Sequence, residues 1–575
     1  MSKKVIILGG GVAGMSAAHE LIERGFDVWV YELKELQGGK ARSMYVPDSA
    51  TGGRNPLPGE HGFRFFPRFY KHLPDTMSRI PFTGNPQGVF NNLVDADRGL
   101  MARYGKTSIE IITRFPHNLD DIKALIHEIW GGNDTGLTKD NLEFFASRLW
   151  QLCTSCYERR LAEYEKISWW NFIGADGRSQ AYQQLLAIGL TRTLVAAKAQ
   201  EASARTGGDI LLQLIFDMIT PGVSSDRLLN APTNDAWLNP WLAYLREKGV
   251  NYHLKAQVEK IICDGKIITG AIVREGLNTF EVKGDYFISA MPVEVISKLI
   301  TPDLKKADPS LSNIEQLAPN VAWMNGIQFY LNKNVDIVPG HTIYIDTPWA
   351  LTSISQRQFW PAVSFPDMGD GKVEGLLSVD VSDWLTPGTL FKNPDGTFKC
   401  AADCTRQEIK DEVWYQLKKS LNVETEILSD DNLHSWFLDT DIITPDENRP
   451  HPDVNLEPLL VNKLNTWRLR PEAFTKIPNF FLASDYVRTY TDLATMEGAN
   501  EAARRAVNAI LKASHSKQTP CELWNLHEPI LLAPWRNHDL KRFKKGKPWN
   551  GHAGGILGWI QRFIAWIKNL FKKKN

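Results

Sequence analysis

Little in this chain invites disulfide, metal or hydrolytic chemistry. Six cysteines are scattered over 575 residues, too few for a disulfide framework. Cys153 and Cys156 form a C-x-x-C, but no second pair completes a zinc site and no βαβ pattern surrounds them, so they read as buried structural thiols on a helix. Cys400 and Cys404 lie in a polar stretch and receive no role. No H-E-x-x-H, no Ser-His-Asp set and no metal-ligand spacing is found, so no metal is expected and hydrolysis finds no support. No uncharged apolar run reaches the ~18 residues of a membrane-crossing helix. Lys3 and Lys4 precede an apolar run from Val5 to Ala18, but glycines at fixed offsets and a following strand argue against a signal peptide. The formal net charge is zero, so no nucleic-acid partner is expected.

The zero hides an asymmetry. Ten of the 66 Lys and Arg fall within residues 541–575, which hold no Asp or Glu. The body is therefore mildly acidic and the tail basic. Aromatics are plentiful, with 19 Trp and 26 Phe. Flat apolar side chains suit a ligand cavity, and they suit a core equally well.

The clearest signal is at the N-terminus. Val5 to Leu8 reads as a buried strand. Gly9, Gly11 and Gly14 follow as G-x-G-x-x-G, with Val12 and Ala13 opening a helix that closes at Gly25. Val28 to Tyr31 is a second strand, ending on Glu32. This is the strand–turn–helix–strand context a dinucleotide requires. Gly9 permits the tight turn, Gly11 lets a pyrophosphate approach the backbone, and Gly14 lets helix and strand pack. The helix N-terminus presents free N–H groups and its positive dipole end to phosphate. Glu32 is placed to accept hydrogen bonds from ribose hydroxyls.

Three further blocks extend this site. Gly38, Gly39, Lys40, Ala41 and Arg42 form a G-G-x-x-R run. Strand-like segments from Tyr252 to Ala290 lead into Met291-Pro292. Asn479 to Tyr486 is a buried strand that ends on Asp485, and Met496, Glu497 and Gly498 open an alanine-rich helix. Together with Gly59-Glu60-His61-Gly62-Phe63-Arg64-Phe65-Phe66, these blocks resemble the FAD-dependent amine oxidase and phytoene desaturase superfamily, notably its plant-type and cyanobacterial desaturases. Ser484 departs from the glycine usual there. The run Asp346 to Thr352 is also similar to segments of hydroxysqualene dehydroxylases.

The resemblance implies an α/β fold: a discontinuous Rossmann-type FAD-binding domain (1–72, 231–313 and 471–515) with an α+β substrate domain (73–230 and 314–470). It implies FAD as cofactor, with Arg42 on phosphate or ribityl groups, the Val258 backbone at the adenine, Asp485 on ribityl or phosphate oxygens, and the helix at Met496 facing the flavin. It also sets His61 and Arg64 beside the flavin, as groups that orient flavin or substrate or relay a proton. The substrate domain reads as helical over Leu119–Ile129, Asn141–Glu165 and Tyr182–Lys198. Trp130, Trp150, Trp169, Trp170, Phe172, Phe329, Tyr344, Trp349, Trp360 and Trp384 are candidates for either a cavity wall or a core.

Residues 516–575 form a separate tail. Within 556–571, ten apolar residues fill half a helix circumference and a cationic face fills the other half. That pattern fits an interfacial helix on an anionic membrane surface rather than a spanning one. The combined expectation is a cytoplasmic, peripheral-membrane FAD oxidoreductase that desaturates an apolar lipid-like substrate and passes electrons to oxygen or a quinone. The alternatives are an amine oxidase producing hydrogen peroxide, a redox-neutral isomerase or dehydroxylase, and a flavin-bound membrane scaffold without catalysis.

Overall fold

The computed structural model describes residues 2–96, 98–110, 123, 135–195, 197–218, 226–443 and 454–555. The expected helix at Leu119–Ile129 falls almost wholly outside these residues, and Trp130 and the tail segment 556–571 lie outside them.

A five-stranded sheet organises the nucleotide-binding end. Its order is Phe480–Leu482, Tyr286–Ser289, Lys4–Leu8, Asp27–Tyr31, Asn251–His253, and every pairing is parallel. Lys4–Leu8 is central, and Val5 to Leu8 are fully buried. Such a strand is buried on both faces and needs a continuous apolar run, which V-I-I-L supplies. The helices Val12–Ile22 and Met496–Ala513 pack against one another over this sheet. Their contact is cheap in volume because Ala17, Ala18, Ala502, Ala503 and Ala506 are all fully buried. An antiparallel meander, Ala256–Cys263, Ile268–Glu275 and Asn278–Val282, leads back into the sheet.

A seven-stranded sheet forms the other layer system. Its order is Leu433–Leu438, Asn325–Leu331, Gly375–Val381, Leu351–Ser355, Gly340–Tyr344, Arg98–Arg103, Lys106–Glu110. Only the pairing of Gly340–Tyr344 with Arg98–Arg103 is parallel. Helix Arg406–Leu421, closed by a reciprocal cap between Thr405 and Glu408, packs on this sheet's outer strands.

The helical part differs from the sequence reading in two places. The stretch expected as one helix, Asn141–Glu165, is Lys139–Thr154 followed by a separate Tyr157–Ala162. The break falls at Ser155–Cys156, where the Cys156 N–H donates to Asp539 Oδ2 at 3.0 Å instead of continuing the ladder. The stretch Tyr182–Lys198 contains a wide turn over Gln183–Gly189 before Leu190–Val195. Gly189 lies against Ile345, where a Cβ would come within 2.5 Å of the side chain. All six cysteines are free, and only Cys400 is not buried. Burial pushes the Cys153 thiol up to about 12, which keeps it an inert core group.

Candidate active site

The four sequence blocks meet around one cavity of about 570 Å³, within the size range of small-molecule sites. Gly9, Gly11, Val12, Ala13, Glu32, Gly38, Gly39, Lys40, Ala41, His61, Arg64, Val258, Asp485 and Met496 all line it. Gly14, Arg42, Glu497 and Gly498 do not.

Backbone geometry explains the glycines. Gly9 has φ +110°, and a Cβ there would sit 2.9 Å from the Ala290 carbonyl oxygen. A Cβ on Gly14 would sit 2.0 Å from the Gly9 carbonyl oxygen. Gly39 passes Gly11 at contact distance, since a Cβ on Gly39 would lie 3.1 Å from the Gly11 Cα. The Gly38 N–H donates to the Gly10 carbonyl at 3.1 Å. The helix begins at Gly11 with no side-chain cap, so its first-turn N–H groups remain available to a ligand. These features fit a pyrophosphate.

Glu32 is buried, and burial raises its carboxyl pKa. Its oxygens accept the N–H groups of Gly10 (2.6 Å) and Lys34 (2.8 Å). A carboxylate has about four lone-pair sites, so acceptor capacity remains for ribose hydroxyls at the cavity wall. Asp485 follows the strand Phe480–Leu482, and the Ser484 hydroxyl donates to its Oδ1 at 3.2 Å. Met496 opens the helix that Thr495 caps by accepting the Gly498 N–H.

Four residues play parts the motifs did not indicate. Arg42 pairs with Asp441 at 2.5 Å and donates to the Gly39 carbonyl at 2.9 Å, which braces the glycine turn from behind. Lys40 lines the cavity, but its ammonium is held by Glu294 at 2.9 Å. Glu497 accepts the N–H groups of Lys71, His72 and Leu73 and pairs with His72 Nδ1 at 2.7 Å, so its carboxylate ties two helices together away from the cavity. Gly498 is demanded by packing, since a Cβ would lie 2.7 Å from the Leu493 carbonyl oxygen.

His61 and Arg64 belong to a buried charge cluster. His61 Nδ1 lies 2.7 Å from Asp439 Oδ2 and 3.3 Å from Asp441 Oδ2. The close approach is off the ring N–H axis, so it is an ion pair rather than a well-formed hydrogen bond. Burial alone would lower the imidazole pKa, but the two carboxylates outweigh it and hold it at about 9. At neutral pH His61 is a locked cation, suited to orienting a neighbour and not to accepting a proton. The donor atoms of His61, Asp439 and Asp441 lie within 4.8 Å of one another. Arg42 and Lys34 already pair with Asp441, so the protein's own cations fill this cluster. Arg64 donates to the carbonyls of Lys40 (2.6 Å) and Ala41 (3.2 Å). It thereby fixes the segment after the paired glycines, and it contributes to the cavity wall.

Beyond His61 the wall is apolar, with Phe63, Phe65, Phe69, Tyr70, Ile210 and Leu214. The seven-stranded sheet adds His341, Thr352 and Asp380. Burial pushes the His341 imidazole down to about 4 and the Asp380 carboxyl up to about 7. None of the other tryptophan and aromatic candidates within the described residues lines this cavity. Trp150, Trp169 and Phe172 pack in the helical core. Phe329, Tyr344, Trp349 and Trp384 pack under the seven-stranded sheet, and Trp360 lies in a further cluster.

The chain is similar to known proteins in sequence and in fold. The pattern of the family described as flavin containing amine oxidoreductase matches residues 12–511. The zeta-carotene desaturase of Synechocystis sp. is 23% identical over 552 residues, covering 90% of this chain and 99% of the relative. The 15-cis-phytoene desaturase of Synechococcus elongatus is 21% identical over 517 residues, covering 88% and 96%. Among solved structures, cyclohexylamine oxidase from Brevibacterium oxydans superposes with a TM-score of 0.57 at 13% identity, covering 90% of this chain and all of that one, which is a likeness of fold. With the glycine turn, the free helix start and the acid at the second strand all in place, the chain belongs to the flavin containing amine oxidoreductase family and is an FAD-dependent oxidoreductase.

Proposed function

We propose that this enzyme dehydrogenates an apolar, isoprenoid-like chain taken up from a membrane surface. The observation that carries the reading is the continuity of the cavity. One cavity is lined both by the dinucleotide-end residues Gly9, Gly11, Glu32 and Asp485 and by Phe63, Phe65, Phe69, Tyr70, Ile210 and Leu214. Such a wall holds a hydrocarbon by area and excludes water. Full-length similarity to carotenoid desaturases supports the same substrate class.

The residues divide the work by position. The glycine turn and the start of helix Val12–Ile22 hold the pyrophosphate, Glu32 the ribose, and Asp485 the ribityl or phosphate oxygens. When bound, FAD supplies the hydride acceptor. Arg64 holds the Lys40–Ala41 backbone at the cavity wall, which would border a bound flavin, and His61 would keep a fixed positive charge on the same wall. The apolar wall would have to hold the reacting C–H bond at the ~3–3.5 Å that transfer requires.

Anaerobic mixing tests this. Polyene and isoprenoid lipids in vesicles should bleach the visible band of the oxidised flavin, and a panel of soluble amines should not. Bleaching by an amine alone would reassign the enzyme as an amine oxidase. Admitting oxygen or a quinone to the bleached enzyme then identifies the electron acceptor by which restores the band.

A further inference from the structure

Four carboxylates line the cavity among the described residues, and three have a partner or a place in the cofactor blocks. Glu32 accepts two backbone N–H groups. Glu457 pairs with Lys34 at 2.9 Å. Asp485 stands at the end of the strand that carries the expected ribityl contact. Asp380 remains. It lies in Gly375–Val381, a strand buried at every position, and is itself 8% exposed.

Its surroundings are specific. In the sheet register Asp380 faces Thr352 on one side and Gly326 on the other, so these positions share one face. The segment from His61 to Phe63 crosses that face. The Gly326 N–H donates to the His61 carbonyl at 2.6 Å, and a Cβ on Gly326 would come 2.8 Å from the Gly62 Cα. A Cβ on Gly62 would in turn come 2.7 Å from Asp380 Oδ1. Two glycines thus clear the space around this carboxylate. The Phe63 N–H donates to it, yet Oδ1 has no hydrogen-bond partner. A buried acceptor left unpaired is costly and calls for an explanation.

We propose that Asp380 is the proton acceptor of the reaction, taking the proton released as the substrate is dehydrogenated. This rests on the dehydrogenation proposed above. Two C–H bonds break and one carbon–carbon π bond forms. From one carbon, hydrogen leaves with its electron pair as hydride to the bound flavin, and those electrons pass on to oxygen or a quinone. From a neighbouring carbon, hydrogen leaves as a proton to the Asp380 carboxylate. The groups that face Asp380 suit this role. Arg64 and His61 are cationic and Asp439 is anionic, and burial sets the carboxyl at about 7, near the pH at which a general base works best. His341, the other titratable group on the sheet wall, is held at about 4 and is the weaker base.

The test compares the FAD-loaded wild type with Asp380→Asn, which keeps the packing against Gly62. In the wild type, the rate of anaerobic bleaching by the reacting lipid should rise with pH through about 7. In D380N it should fall by about 10²–10⁴-fold and lose that inflection, with FAD content and lipid binding retained. Infrared spectra of the wild type minus D380N, recorded without substrate, should contain a protonated-carboxyl band that disappears as pH rises through the same range. A D380N rate within about threefold of wild type, or no such band, would overturn the assignment. If only an amine bleaches the wild type and D380N slows that reaction equally, the lipid reading fails while Asp380 keeps its role.

Discussion

At the scale of single residues, the glycines of the turn separate into two kinds, and substitution tells them apart. A Cβ on Gly11 meets nothing closer than 3.6 Å, so Gly11→Ala should fold normally. The methyl group would project where the pyrophosphate approaches, and FAD content after purification should drop severalfold with little change in the melting temperature of the apoprotein. Gly14→Ala is the opposite case. Its Cβ would overlap the Gly9 carbonyl oxygen, and such overpacking costs about 1–3 kcal/mol, so the apoprotein itself should melt earlier. Calorimetry and the flavin-to-protein absorbance ratio read the two effects separately. The G-x-G-x-x-G spacing made Gly9, Gly11 and Gly14 legible from the sequence, but not Gly10. That position is free in the motif, yet here a Cβ would come 2.2 Å from the Tyr252 hydroxyl, which donates to the Gly10 carbonyl at 2.6 Å. The constraint comes from a residue 242 positions away, and no local pattern carries it. Asp380 left a faint signal, as the one acid in the otherwise uncharged run Gly375–Val381.

At the scale of elements, helix Met496–Ala513 does more than face a cofactor. Its first-turn acid, Glu497, accepts three backbone N–H groups at the start of the helix His72–Ser78. His72 then passes the contact on, because its Nε2 accepts the Trp524 N–H at 2.9 Å. One buried carboxylate therefore fastens three separate stretches of chain. Burial opposes its ionisation, but the His72 hydrogen bond and the backbone N–H groups prevail and hold its pKa below the usual carboxylate value. The folded-state pKa is depressed, so the stabilisation is complete above the ordinary carboxylate range and is lost as pH falls through the lowered value. Glu497→Gln should destabilise the protein at neutral pH by about 1–3 kcal/mol, the cost of leaving buried donors imperfectly paired. The gap between variant and wild type should narrow on acidification, which melting curves across pH would check. The motif identified this residue and its helix correctly in position. It did not reveal the direction of the side chain, because a buried anchor and a cofactor ligand at a helix start have the same sequence signature. The aromatic residues had the same ambiguity: Trp169 and Trp349 are fully packed, whereas Phe65 and Phe69, in a loop with no periodicity, form the cavity wall.

At the scale of the whole molecule, cofactor site and tail are separable. All the described residues that line the cavity fall between Gly9 and Ala499, so among the described residues nothing after helix Met496–Ala513 contributes to it. The segment after that helix instead braces the helical part: Asp539 pairs with Arg159 at 3.0 Å, and Trp549 donates to Thr154 at 3.1 Å. Residues 556–575 follow those anchors, and their sequence pairs aromatic and aliphatic residues with Lys and Arg. A chain ending after Gly555 should therefore fold, retain its full FAD content and bleach normally with a detergent-solubilised substrate. Its partition onto vesicles should fall, and most steeply for anionic ones, where each Lys or Arg near the surface contributes about 1 kcal/mol. Raising the ionic strength should erase the difference between anionic and neutral vesicles for the full-length protein, because that part of the attraction is screened. The residual binding to neutral vesicles then measures the apolar face alone. Sedimentation of both chains with vesicles of either composition decides the matter. If the shortened chain partitions as strongly as the full one, the membrane contact lies on the described body, where Ile530 and Leu531 expose 87% and 58% of their surface.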